Sequence, residues 1–163
     1  MSRKKKCYLK SSTICTNKKA YYNYFIEEVF QSGLVLMGWE VKSIRLGKIN
    51  ITESYINNDN LNEMYLYNSV IQPLNTCSNH LFCDSSRKRK LLLHKSEIQY
   101  LSNKKNKIGS TLIALSLFWE KSWCKLNFGL AKGKTKIDKR EDEKQNQWNK
   151  EKSKILKKVR FHI

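Results

Sequence analysis

Residues 111–131 read TLIALSLFWEKSWCKLNFGLA, and this stretch decides the fold. Thr111, Ile113, Leu115 and Leu117 alternate with other residues, the two-residue period of a strand. Glu120 to Ser122 supply a turn. Beyond it, Trp123, Lys125, Asn127 and Gly129 define one face of a second strand. Cys124, Leu126, Phe128 and Leu130 define the other. The stretch is therefore an antiparallel hairpin with one apolar face, and it commits the chain to a β architecture.

Working outward, the chain offers more strands than helices. Tyr24 to Phe30 is rich in aromatic and β-branched residues and reads as a strand. Leu34 to Arg45 fits either period, giving a short helix or a strand followed by a helical turn. Gly47 supplies a turn. Ile51 to Ile56 and Met64 to Ile71 read as a hairpin across the turn-rich Asn57 to Asn62. Pro73, the only proline, ends it. Asn75 to Lys90 reads as a polar loop, Leu91 to Leu101 as a helix and Asn103 to Gly109 as a loop. Several antiparallel strands in about 110 residues manage their edges most economically as a small closed barrel. The expected fold is mainly β: a small antiparallel OB-like barrel with short helices and a basic, conditionally helical tail.

The charge is unevenly spread. The 163 residues carry a formal net charge of +18. Residues 1–20 hold seven basic groups and no acidic ones, and residues 132–163 hold 12 against five. The middle, residues 21–131, is nearly balanced at 13 against nine. An A+T-rich codon bias raises Lys everywhere, but it does not push the excess to the two ends. A folded body with basic arms is the signature of a polyanion binder. The expected organisation is a flexible arm over 1–16, a barrel over 17–131 and a tail over 132–163. In the tail, Trp148, Ile155 and Val159 share a helical face. Three apolar anchors are too few to hold an isolated helix, so folding on RNA is expected.

Other classes fare worse. The five cysteines (Cys7, Cys15, Cys77, Cys83 and Cys124) are odd in number and form no C-x-x-C. Cys77 and Cys83 bracket His80 at a spacing that matches no common zinc site, so free thiols in a reducing cytosol are expected. No metal or other cofactor is implied. The basic start leads into no apolar run, and no segment approaches the ~20 apolar residues that span a bilayer. Glu40 has no second acid or His at a useful spacing, and His80, His94 and His162 are scattered, so no catalytic residue is expected. The reading is a soluble cytoplasmic protein without enzymatic chemistry. The tail has too few apolar residues for a membrane anchor.

The candidate RNA contacts are basic clusters. Arg87, Arg89 and Lys90, read as lying just before a helix, suit phosphate contacts or a solvated loop. Lys42, Arg45 and Lys48 recur at spacings of three, with the same two readings. Lys18 and Lys19 sit beside Tyr21, Tyr22 and Tyr24, an interleaving that suits stacking on unpaired bases, although Tyr24 fits core packing better. Trp39 and Trp123 read as core. Lys132, Lys134, Lys136, Lys139 and Arg140 form the densest cationic stretch. Trp148 gains nothing in a solvated tail and therefore points to a partner.

Five blocks carry a resemblance. They are Asn17-Lys18-Lys19-Ala20 with Tyr24-Phe25-Ile26-Glu27; GLVLMGWEVKSIRLGK over 33–48; RKRKLLL over 87–93; GLAKGK over 129–134; and Asp138-Lys139-Arg140. In this order, from about Asn17 to Trp148, the chain resembles the SsrA-binding protein (SmpB) family. The resemblance implies an OB-like barrel that binds the tRNA-like domain of tmRNA and delivers it to stalled ribosomes for trans-translation, without bond chemistry of its own. The partners implied are tmRNA and the ribosome, chiefly small-subunit rRNA, with the protein a monomer present once or more per tmRNA.

By the resemblance, Asn17, Lys18, Lys19, Gln31, Lys42, Arg45, Lys48, Arg87, Arg89, Lys90 and Leu92 hold tmRNA. By chemistry alone, Asn17 is equally a helix cap and Leu92 equally core. The tail residues Lys132, Gly133, Lys134, Lys136, Asp138, Lys139, Arg140 and Trp148 would enter the empty messenger channel near the decoding region, with Gly133 as hinge. Three departures stand out. Gln31 replaces the usual Glu, keeping shape but losing charge. Ser85 replaces a loop Pro, and Ile137 replaces a His or Tyr that could stack on a base. The competing function is a structural rRNA-binding ribosomal protein.

Overall fold

In the computed structural model, residues 12–59, 63–74, 83–105 and 109–160 are described. The elements in chain order are β1 (Ser12–Thr16), α1 (Lys18–Asn23), β2 (Tyr24–Leu34), α2 (Gly38–Arg45), β3 (Ile49–Asn50), β4 (Tyr55–Asn58) and β5 (Met64–Tyr67). They continue with β6 (Val70–Ile71), β7 (Arg89–Leu92), α3 (Lys95–Lys105), β8 (Ser110–Glu120), β9 (Trp123–Gly133) and α4 (Lys136–Arg160). Two units separate, 1–132 and 133–163.

The β8–β9 hairpin organises the first unit. Its strands pair antiparallel from Ser110 opposite Lys132 to Glu120 opposite Trp123, with an irregularity between Ala114 and Ser116. Lys121 turns the hairpin in a left-handed conformation, φ 55°. The extra residue changes the phase of the alternation. Leu112, Ala114 and Leu117 therefore face the main core, while Ile113 and Leu115 pack with Ala20 and Ala131 in a second cluster that includes α1. A uniform alternation over Thr111–Leu117 is the expectation this corrects. On β9, Cys124, Leu126, Phe128 and Leu130 face the main core. Gly129 sits where a Cβ would come 2.9 Å from Ile26 Cγ2, so only glycine lets the strands approach this closely there.

The sheet order is β1-β8-β4-β5-β7-β2-β9, and β9 also pairs with β8. This curled antiparallel sheet with short helices is the mainly β, OB-like architecture expected. β3 and β6 form a separate two-stranded ribbon. Its existence divides the strand expected over Met64–Ile71. Asn68 adopts φ 57°, a conformation asparagine tolerates, and turns the chain from β5 to β6. Likewise the strand expected over Ile51–Ile56 is broken by a turn before β4.

Four further expectations are corrected. Ser12–Thr16, within the arm expected over 1–16, is a strand that pairs with the outer half of β8. Residues 1–11 of the expected arm lie outside the described residues, as do Cys77 and His80. Arg89–Leu92 is a strand rather than the entry to a helix, since it pairs with both β5 and β2. The helix starts at Lys95, with the backbone N–H of His94 donating to the Glu97 carboxylate at 2.9 Å, and takes in the first residues of the expected loop, as far as Lys105. Trp123 is 73% exposed and not core, whereas Trp39 is buried.

Candidate nucleic-acid interface

The basic edge begins at α2. Trp39, Glu40, Ser43 and Ile44 form its buried face. Lys42 and Arg45, three apart, therefore point outward, and Lys48 follows the left-handed Gly47 turn, φ 70°. All three are exposed. The Arg45 guanidinium lies 5.9 Å from the Trp119 ring centroid, an arrangement that orients it without consuming its donors. Sequence spacing found this cluster correctly as a surface group.

The run Arg87-Lys88-Arg89-Lys90 behaves differently. Glu40 on α2 is fully buried, and Arg87 meets it with two parallel bonds, Nε to Oε1 at 2.9 Å and Nη2 to Oε2 at 2.5 Å. Arg89 Nε donates to the same Oε1 at 2.8 Å, and its other nitrogens donate to Ser69 O, Ser69 Oγ, Arg87 O and Ser85 O. Arg89 is only 1% exposed. It cannot be a phosphate contact: it holds β7 to α2 and to the β5–β6 turn. Burial pushes the Glu40 carboxyl up. The Arg87 hydrogen bonds, the Met37 N–H and the Arg89 charge outweigh this and hold it below the usual carboxylate range. Of the run, Lys88 pairs with Asp59 at 2.7 Å and Lys90 with Glu63, both partly exposed. The alternation of strand β7 explains the split, because Arg89 and Leu91 face inward.

Asn17 also proves structural. It is 1% exposed and caps α1, accepting from the Ala20 N–H at 3.0 Å. Its amide nitrogen donates to Ile51 O, Thr52 O and Ala114 O at 3.2, 2.9 and 3.0 Å. One side chain thus ties α1 to the turn before β4 and to β8. Lys18 and Lys19 are exposed on the helix it holds, with Lys19 3.3 Å from Glu53.

Gln31 is exposed on the outer face of β2, the face that also presents Phe25 and Val29. Leu92 lies opposite Gly33 across the β2–β7 pair and is 54% exposed, so it is surface rather than core. A Cβ at Gly33 would come 3.2 Å from Leu92 Cδ1, and the missing side chain gives Leu92 room to lie over β2.

Lys132, the last residue of the first unit, and Gly133, the first of the second, end β9, both exposed. Lys134 pairs with Asp142 at 2.7 Å. Thr135 and Asp138 cap α4 reciprocally: the Thr135 N–H donates to Asp138 Oδ2 at 2.9 Å, and the Asp138 N–H to Thr135 Oγ1 at 3.3 Å. Sequence reasoning missed this T-x-x-D signature, although it was legible. Lys136 and Arg140 are exposed, and Lys139 is half-buried. Ile137, Trp148 and Ile155 are 68%, 61% and 63% exposed.

A family model described as SmpB protein matches residues 14–158.

The chain belongs to the SmpB family.

It is 85% identical over 161 residues to the SsrA-binding protein of Buchnera aphidicola subsp. Schizaphis graminum (strain Sg), with 99% of each chain covered. It is 65% identical over 160 residues to the SsrA-binding protein of Buchnera aphidicola subsp. Acyrthosiphon pisum (strain Tuc7), with 98% of each covered. Among solved structures it is similar to a chain of "tmRNA-SmpB: a journey to the center of the bacterial ribosome", at TM-score 0.62 and 38% identity, covering 75% of this chain and 85% of that one. For this SmpB family member the candidate cations include two kinds. Lys18, Lys42, Arg45 and Lys48 form no ion pair among the described residues, while Arg87 and Arg89 are committed to Glu40. No helix among the described residues is long and apolar enough to cross a membrane.

Proposed function

We propose that this chain is an RNA-binding adaptor that binds the tRNA-like domain of tmRNA and delivers it to stalled ribosomes for trans-translation. The observation that carries the reading is membership of the SmpB family along nearly the whole chain, with relatives named for SsrA binding. The surface agrees in kind: cations that form no ion pair among the described residues at Lys18, Lys42, Arg45 and Lys48, and an exposed Gln31–Leu92 face. Phosphate contacts from such cations set register on an RNA backbone. Lys88 and Lys90, paired with Asp59 and Glu63, do not add to them. Arg87 and Arg89 act indirectly, by holding α2 so that Lys42 and Arg45 project.

The tail from Lys132 to Arg140, with Trp148, is assigned to the ribosome. Asp138 belongs to that role through its cap on α4 rather than as a contact. The protein performs no bond chemistry and works in the cytoplasm.

The test is a gel-shift titration against the tRNA-like domain of the cognate tmRNA at about 150 mM salt, with excess bulk tRNA as competitor. Binding that survives the competitor supports the adaptor reading. Binding that the competitor erases moves a structural role on rRNA to the front.

A further inference from the structure

The outer face of β4 and β5 carries an aromatic row that the basic clusters do not account for. Tyr55 and Tyr67 are directly opposed across the strands and stack, with ring centroids 5.6 Å apart and planes 13° from parallel. Two residues along β5 on the same face is Tyr65, with Lys88 Nζ 4.8 Å from its ring centroid. Beneath them, Ile56, Met64 and Leu66 are buried, so this is the outer side of a firmly packed sheet. Tyr55 is 43% exposed.

At its Tyr55 end the row opens into a cavity of about 250 Å³ between α1, the turn before β4, and β8. Lys19, Tyr24, Ser54, Tyr55 and Thr111 are among its lining residues. The hydroxyls of Tyr24, Tyr55 and Thr111 have no hydrogen-bond partner among the described residues. Asn17 also lines it and anchors both α1 and the turn, so one buried side chain ties two of its walls together.

We propose that this row and cavity form a second RNA site that takes unpaired bases of a single strand, one base entering the cavity and the next stacking on the Tyr55–Tyr67 pair. The chemistry selects bases rather than phosphates. Lys19, Lys88 and Lys90 along the row are matched by Glu53, Asp59 and Glu63, so the strip has little net charge to attract a backbone. Flat rings and unpaired hydroxyls remain, and these recognise π-faces and base edges. A sheet face of an OB-like barrel is a common platform for such strands. The proposal deepens the RNA-binding reading and rests on it: the strip would hold a single-stranded segment adjoining the structured domain.

The test uses the full chain, titrated with a fluorescent adenosine oligoribonucleotide and with an abasic ribose-phosphate chain of equal length. The tRNA-like domain of tmRNA is titrated in parallel. Wild type should prefer the base-bearing strand by on the order of tenfold. The double variant Y55L/Y67L should lose that preference while its salt dependence stays unchanged. Y55F/Y67F, which keeps both rings, should retain it and thereby controls for folding. A wild type that does not distinguish the two strands, or a preference that survives Y55L/Y67L, overturns the proposal. So does loss of the preference in Y55L/Y67L together with loss of its thermal unfolding transition, if Y55F/Y67F also loses the preference while folded. Failure to bind the tRNA-like domain, with strand preference intact, would instead sink the adaptor reading alone.

Discussion

Arg89 Nε lies 2.8 Å from Glu40 Oε1, and both side chains are buried. A buried pair of this kind is not a large net source of stability, but breaking it strands a charge. Glu40→Gln keeps the shape and leaves Arg89 without its counter-charge. The expected cost is about 3–5 kcal/mol, read by urea unfolding. A cost within the range of surface substitutions would show that Ser69 and the carbonyls alone satisfy Arg89.

The same carboxylate makes stability depend on pH. Its folded pKa is held below the usual range, so the unfolded chain takes up the proton first. The contribution is complete above the unfolded value of about 4.3 and is lost as pH falls through the folded one. Wild type should therefore lose stability more steeply than Glu40→Gln below that value. Parallel slopes in acid-unfolding curves would contradict it.

The exposed cations should behave in the opposite manner. Replacing Lys42, Arg45 and Lys48 with Ala should change stability by no more than about 0.5 kcal/mol each. RNA affinity should fall, and the salt slope should shrink by about 0.9 for every phosphate that is no longer neutralised. If six to ten phosphates are neutralised overall, wild-type affinity should drop about 10³–10⁵-fold between 50 and 200 mM salt. A nearly salt-independent affinity would refute the electrostatic reading.

Asp138 offers a further separation. Asp138→Ala removes one half of the cap on α4 and should cost the helix about 1 kcal/mol, visible as reduced helicity by circular dichroism. Asp138→Asn keeps the accepting oxygen and should recover most of it. Replacement of Asp138, Lys139 and Arg140 together should spare tmRNA binding and abolish trans-translation. Equal loss of both would show that barrel and tail do not divide the work as proposed.

Much of the fold was legible because it rests on local pattern. The β8–β9 hairpin announced itself by alternation, and Lys42, Arg45 and Lys48 read as neighbours whether on a helix or around a turn. What escaped depends on distant partners. Nothing near Arg89 says that a carboxylate 49 residues earlier meets it inside the fold, so four consecutive cations read as one surface cluster. Likewise Leu91-Leu92-Leu93 looks like a helical entry until pairing with β2 and β5 is known. Asn17 admits both of its readings from sequence, and geometry chooses the cap. The Thr135–Asp138 cap was local and readable, but the density of charge around it masked the pattern.

The cap on α4 also sets an angular origin. A helix advances about 100° per residue, so Ile137, Trp148 and Ile155, eleven and then seven positions apart, fall within about 20° of a common line. One residue inserted between Ile137 and Trp148 would swing the indole through about 100° while leaving composition, charge and helix length almost untouched. Seven inserted residues would bring it back nearly into phase, displaced about 10 Å along the axis. Tail function that follows this rotation rather than the charge count would mark α4 as a component read by its orientation.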